Sequence, residues 1–110
     1  MNPGLLDANV DDEESIVGLF DSNEQIHRLV QSELGRLGIM VASYPMSVQY
    51  PPDAQWLEAH ALEHMSWSLV LNLDDPGGLN QYDLNDKAQF AQWVSLHARH
   101  HQLVNATLNL

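Results

Sequence analysis

Five positions, spaced four, four, three and four residues apart, set the pattern of this chain. In one stretch they are Trp56, His60, His64, Trp67 and Leu71; near the C-terminus they are Trp93, His97, His101, Val104 and Leu108. That spacing keeps all five residues on one side of an α-helix. The two stretches are offset by 37 residues throughout, from Trp56/Trp93 to Leu73/Leu110, and Ala54-Gln55 matches Ala91-Gln92 upstream. The same shift backwards gives a weaker third set: Leu19, Asn23, His27, Val30 and Leu34. A flanking apolar column adds Phe20, Leu57 and Val94. Each face is apolar at both ends and polar in the middle. One such helix cannot bury its face alone, but three can bury theirs together.

The pattern predicts an all-α fold, a small bundle of three repeat-related helices with extended connectors and an acidic N-terminal arm. Residues 1–14 are expected as a flexible acidic arm, with Leu5, Leu6 and Val10 as its anchors, and 15–110 as a single helical domain with repeat units at about 17–35, 54–73 and 91–110. The first helix is expected over Glu14–Leu34, capped by the preceding acidic residues or by Ser15. Gly35 is expected to lie just past its end. Asp53, after Pro51-Pro52, suits the N-cap of a second helix reaching about Val70, and Asn85 or Asp86 suits the N-cap of a third starting at Lys87. Residues 39–52 have strand-like apolar residues, but Pro45, Pro51 and Pro52 argue for an extended connector crossing the helices. Its Tyr44, Met46 and Tyr50 are of the type that anchors interfaces. Asp74 to Gly78 is a turn cluster, followed by a polar loop from Leu79 to Asp86.

Charge narrows the partners. Four basic residues stand against fifteen acidic ones, for a formal net charge of −11. Binding to a phosphate backbone needs clustered Lys and Arg, so direct nucleic-acid binding is not expected, and neither is an anionic membrane surface. No apolar run approaches membrane-spanning length. The first residues lack the basic start and apolar stretch of a signal peptide, so no secretion by that route is expected. With no cysteine, thiolate metal sites and cysteine nucleophiles are excluded.

The histidines hold the chemistry. All but His100 lie in the two central columns of the repeat. The reading adopted from sequence is a buried polar layer, in which imidazoles bond to each other, to Asn23 or to connector carbonyls. No catalytic, cofactor-binding or metal-ligating residue is assigned on that reading, and no cofactor is expected. The alternative is a metal. His60/His64 and His97/His101 are each four apart, and two such pairs on facing helices would make a closed, structural four-nitrogen site. His60-Ala61-Leu62-Glu63-His64 also fits the H-x-x-E-H string of inverted zinc proteases. The repeat places His100 where Glu63 stands and supplies no further acidic ligand on the last helix, so no enzyme is expected.

The helix reading Trp56-Leu57, His60, His64, Leu71-Asn72, and again Trp93-Val94, His97, His101, Leu108-Asn109, resembles a repeat found in small proteins of tailed bacteriophages. The likeness covers residues 54–110 and extends more weakly from Leu19. It implies a virion structural or assembly protein of the head or head–tail region, present in multiple copies. Its implied partners are portal, capsid or tail components, and its implied location is the virion, assembled in the host cytoplasm. The Leu-Asn-Leu ends depart from the commoner Leu-Gly. A small metal-binding protein and an acidic regulator of a host partner are the alternatives.

Overall fold

The computed structural model describes residues 6–44 and 52–110, which contain three α-helices and no strand. They are α1 (Glu13–Arg36), α2 (Ala54–Leu71) and α3 (Lys87–Leu108). Each opens on an aspartate whose carboxylate accepts a backbone N–H of the first turn. Asp12 accepts from Glu14 (3.2 Å), Asp53 from Trp56 (2.8 Å) and Asp86 from Gln89 (3.0 Å). Such caps satisfy amides that have no partner inside the helix. Ser15 is not the cap of α1; its hydroxyl accepts from the Asn9 amide at 2.9 Å.

The helices close alike. In each, an amide reaches back five residues: Ile39 to Leu34 (2.9 Å), Leu73 to Ser68 (2.8 Å) and Leu110 to Asn105 (2.9 Å). The residue before that amide is left-handed: Gly38 (φ 78°), Asn72 (φ 56°) and Asn109 (φ 61°). This is the closure that favours Gly and admits Asn. The Asn of the Leu-Asn-Leu ends therefore does the work of a terminal glycine. The expected end of α1 at Gly35 is corrected: the helix continues through Gly35 to Arg36, whose guanidinium pairs with Glu33, and turns at Gly38.

Every stripe position except Leu71 is buried, and Leu71 is partly so. The layers align by height. Phe20, Trp56, Phe90 and Trp93 cluster at one end, with ring centroids 5.6 Å (Phe20–Trp56), 6.1 Å (Phe20–Trp93) and 6.1 Å (Phe90–Trp93) apart. These residues all lie toward the starts of their helices, so α1, α2 and α3 run in the same direction. Lys87 pairing with Asp11 joins two helix starts, and Asn80 donating to Glu58 (2.7 Å) shows the second connector returning to that end. Parallel neighbours need long crossings. The 18-residue α2 is about 27 Å long, and the extended chain over 72–86 has the reach to come back beside it.

The connectors are partly core. Leu79 and Leu84 are buried, and the Leu79 carbonyl accepts from Trp93 Nε1 at 3.0 Å. The stretch 79–86 is thus more than a polar loop. Leu6 of the arm is also fully buried, and Val10 packs partly against the core. In the first connector Ile39 and Val41 pack partly on the core, and Met40 is exposed. Met46 and Tyr50, expected as interface anchors, lie outside the described residues.

Candidate metal centre

The polar columns meet on the bundle axis. His27 comes from α1, His60 and His64 from α2, and His97 and His101 from α3; each is at most 1% exposed. One ring nitrogen from each lies within 4.8 Å of all the others. The Nε2 atoms form a chain of 3.1 Å contacts: His64 to His27, His27 to His60, His60 to His97, and His97 to His101. The two pairs considered from sequence are therefore together, and His27 joins them. Asn23, the counterpart of His60 and His97 in the first repeat, places Oδ1 3.2 Å from His60 Nε2.

Indoles wall the cluster. Trp56 stacks on His60 (centroids 4.5 Å, planes 13° apart) and Trp93 on His97 (4.6 Å, 9°), the same four-residue relation in successive repeats. Trp67 closes the other side, 4.5 Å from His27 and 4.8 Å from His64. Burial in this apolar shell holds all five imidazoles well below their ordinary pKa, and for each the neighbouring histidines add to the depression. They are neutral, so each ring has one N–H and one lone pair.

Outer hydrogen bonds allow a set of proton positions that leaves the inward nitrogens of His27 and His64 as lone pairs. Ser68 Oγ–H donates to the Asp74 carbonyl (3.2 Å), so Oγ accepts from His100 Nε2–H (2.6 Å). His100 has its pKa pushed down to about 4, chiefly by burial, so at neutral pH its Nδ1 is a lone pair. It accepts from His64 Nδ1–H at 2.7 Å. His64 Nε2 is consequently a bare lone pair turned inward. On the other side, the Glu63 carboxylate accepts from the Tyr44 amide through Oε2 (3.1 Å) and from His27 Nδ1–H through Oε1 (3.0 Å). Burial raises the Glu63 pKa, while the Gln31 side chain and the Tyr44 N–H work in the other direction. His27 Nε2 is then a lone pair as well. His27 and His64 thus face each other at 3.1 Å, lone pair to lone pair.

A pure hydrogen-bonded layer does not satisfy this arrangement. As simple two-centre bonds, at most two of the four contacts in the Nε2 chain can form at once, because each nitrogen has a single in-plane site. The Nδ1 atoms of His60, His97 and His101 have no hydrogen-bond partner among the described residues, so the layer does not close on itself through them. A cation among the five nitrogens turns facing lone pairs from a repulsion into a set of ligands. Neutral imidazole is the donor form for zinc, copper, iron and nickel. The Glu63–His27 and Ser68–His100–His64 bonds are the outer contacts that orient a ligating imidazole.

Glu63 was visible in sequence only as the acid of a protease-like string. In the structure it lies behind His27 as an acceptor and is 1% exposed, shut off from solvent. Ser68 and the role of His100 had no sequence signal beyond their spacing from His64 and His97. No family model, curated protein or solved structure matches the chain.

Proposed function

We propose that the protein is a helical scaffold closed around a divalent transition-metal ion held by His27, His60, His64, His97 and His101. The observation that carries this reading is the convergence of five buried ring nitrogens, all within 4.8 Å of one another, with His27 and His64 Nε2 3.1 Å apart. The ion joins all three repeats, since each helix contributes at least one ligand. Its enclosure by three indoles suits a centre that stabilises the fold. Glu63 supplies one buried negative charge against the ion's two positive ones. Elemental analysis of the purified chain tests the reading, with one ion per chain expected. A metal-free protein whose melting temperature is indifferent to nickel, cobalt, zinc and chelator would refute it.

Within that reading, the setting implied by the repeat is a tailed-phage particle, where a small metal-closed bundle would serve as a docking piece among portal, capsid or tail proteins. An apolar strip on α2 supports a docking role: Leu62, Met65 and Leu69 are exposed and line a surface groove with Leu73. Fixed stoichiometry in purified particles is the expected result, and absence from them would remove the setting while leaving the metal centre standing.

A further inference from the structure

The five histidines leave one corner of a regular figure unfilled, and a side chain already stands there. The repeat sorts the donors into two sets of three. Asn23, His60 and His97 make one; His27, His64 and His101 make the other. The members of each set are related by the 37-residue repeat. Two stacked triangles are the six vertices of an octahedron. Five of its twelve edges are nearly equal: 3.2 Å for Asn23–His60, and 3.1 Å for His60–His97, His27–His64, His27–His60 and His97–His101. Octahedral edges of that length place every donor about 2.2 Å from the centre and opposite donors about 4.4 Å apart, a radius slightly longer than the ~2.0–2.1 Å of zinc–imidazole bonds. No pair among the histidine donors exceeds 4.8 Å, so the spread suits the figure. A tetrahedral ion has no use for five nitrogens, let alone a sixth donor.

Resting on the metal reading above, we propose that Asn23 Oδ1 is the sixth ligand, and that the centre is a six-coordinate site selecting octahedral divalent ions such as Ni²⁺, Co²⁺ or Fe²⁺ over Zn²⁺. Asn23 is fully buried, its carbonyl oxygen faces the cluster, and its Nδ2 has no hydrogen-bond partner among the described residues. An amide held in an apolar core for hydrogen bonding alone would have its donor satisfied. A carbonyl oxygen is a harder donor than imidazole, which draws the site away from the softest ions.

Cobalt distinguishes the sixth ligand from the centre itself, because six-coordinate Co²⁺ absorbs weakly in the visible and four-coordinate Co²⁺ absorbs intensely at longer wavelength. The metal-free full chain is titrated with Co²⁺, then challenged with Ni²⁺ and Zn²⁺. The wild type is expected to give the weak six-coordinate spectrum and to yield its cobalt more readily to nickel than to zinc. Asn23→Ala is expected to intensify the bands and weaken cobalt binding by about 10–100-fold, the scale on which even outer contacts of a metal site act. Asn23→His, which restores the repeat residue, is expected to keep the six-coordinate spectrum and bind at least as tightly. Both variants are checked for helicity, and the histidine variant keeps the test open should the alanine variant unfold. An intense four-coordinate spectrum in the wild type, or an alanine variant matching it in spectrum and affinity, overturns the sixth ligand and leaves a metal centre in place. Failure of the folded wild type to bind cobalt, nickel or zinc overturns the centre itself.

Discussion

Acidification of the metal-free protein should unfold it well before its carboxylates titrate. An unfolded histidine takes up a proton below about pH 6.5. The five cluster histidines resist that proton in the folded state, because burial and their mutual proximity hold their pKa values well below the ordinary one. The unfolded state therefore binds more protons than the folded state below that pH, and stability falls as pH falls. At pH 5.5, one unit into this window, each such histidine costs about 1.4 kcal/mol. Five of them cost about 7 kcal/mol, comparable with the ~5–15 kcal/mol total stability of a small domain. His100, with its pKa near 4, adds a similar amount at that pH. Helicity followed by circular dichroism on chelator-treated protein should collapse between about pH 5 and 6. Saturating Ni²⁺ should move the midpoint lower, because the ion binds only the folded arrangement. A metal-free midpoint below pH 4 would show that acid unfolding is set by carboxylates. A flat profile from pH 6.5 to 5 would show that the cluster already keeps a shared proton. Either result refutes the reasoning.

Other perturbations reach separate parts of the structure. Glu63→Gln keeps an acceptor for His27 Nδ1 but removes the buried counter-charge; the fold should persist, while metal affinity measured by competition falls about 10–100-fold. Trp93→Ala removes a fully buried indole stacked on His97 and should cost about 3–5 kcal/mol in denaturant unfolding. Gly35 lies inside α1 with nothing within 4 Å of an added Cβ, so Gly35→Ala should stabilise by about 0.4–1 kcal/mol in thermal melts. Gly38→Ala, at φ 78°, should destabilise by about 1–2 kcal/mol, and a reversed order of these two variants would contradict the observed end of α1.

The helices, their aspartate caps at Asp53 and Asp86 and the buried stripe were legible because periodicity and capping are local properties of sequence. The end of α1 was not. Gly35 and Gly38 are both reasonable stops, and the choice depends on Arg36–Glu33 pairing and on Ile39 reaching the Leu34 carbonyl. The histidine columns were legible as columns, but their convergence depended on helix direction. A repeat whose matching residues share a layer requires parallel helices, and that requirement was implicit in the long connectors on either side of α2. Once the helices are parallel, His27 reaches the two pairs and Asn23 meets His60. The proton positions could not be read from spacing, because they depend on Tyr44 and Asp74 of the connectors and on Ser68 of α2, all outside the repeat columns.

The shared direction of the helices also gives the acidic composition a place. Antiparallel neighbours cancel one another's peptide dipoles, whereas parallel ones add, so one end of this bundle gathers three partial positive poles of roughly half a charge each. Asp11, Asp12, Glu13, Glu14, Asp53, Asp83 and Asp86 all lie at or next to the three helix starts. Three such poles, about 1.5 charges together, offset only part of these seven carboxylates, so the end where the helices start remains a concentrated acidic surface, and a partner approaching along the long axis meets a basic-seeking face there.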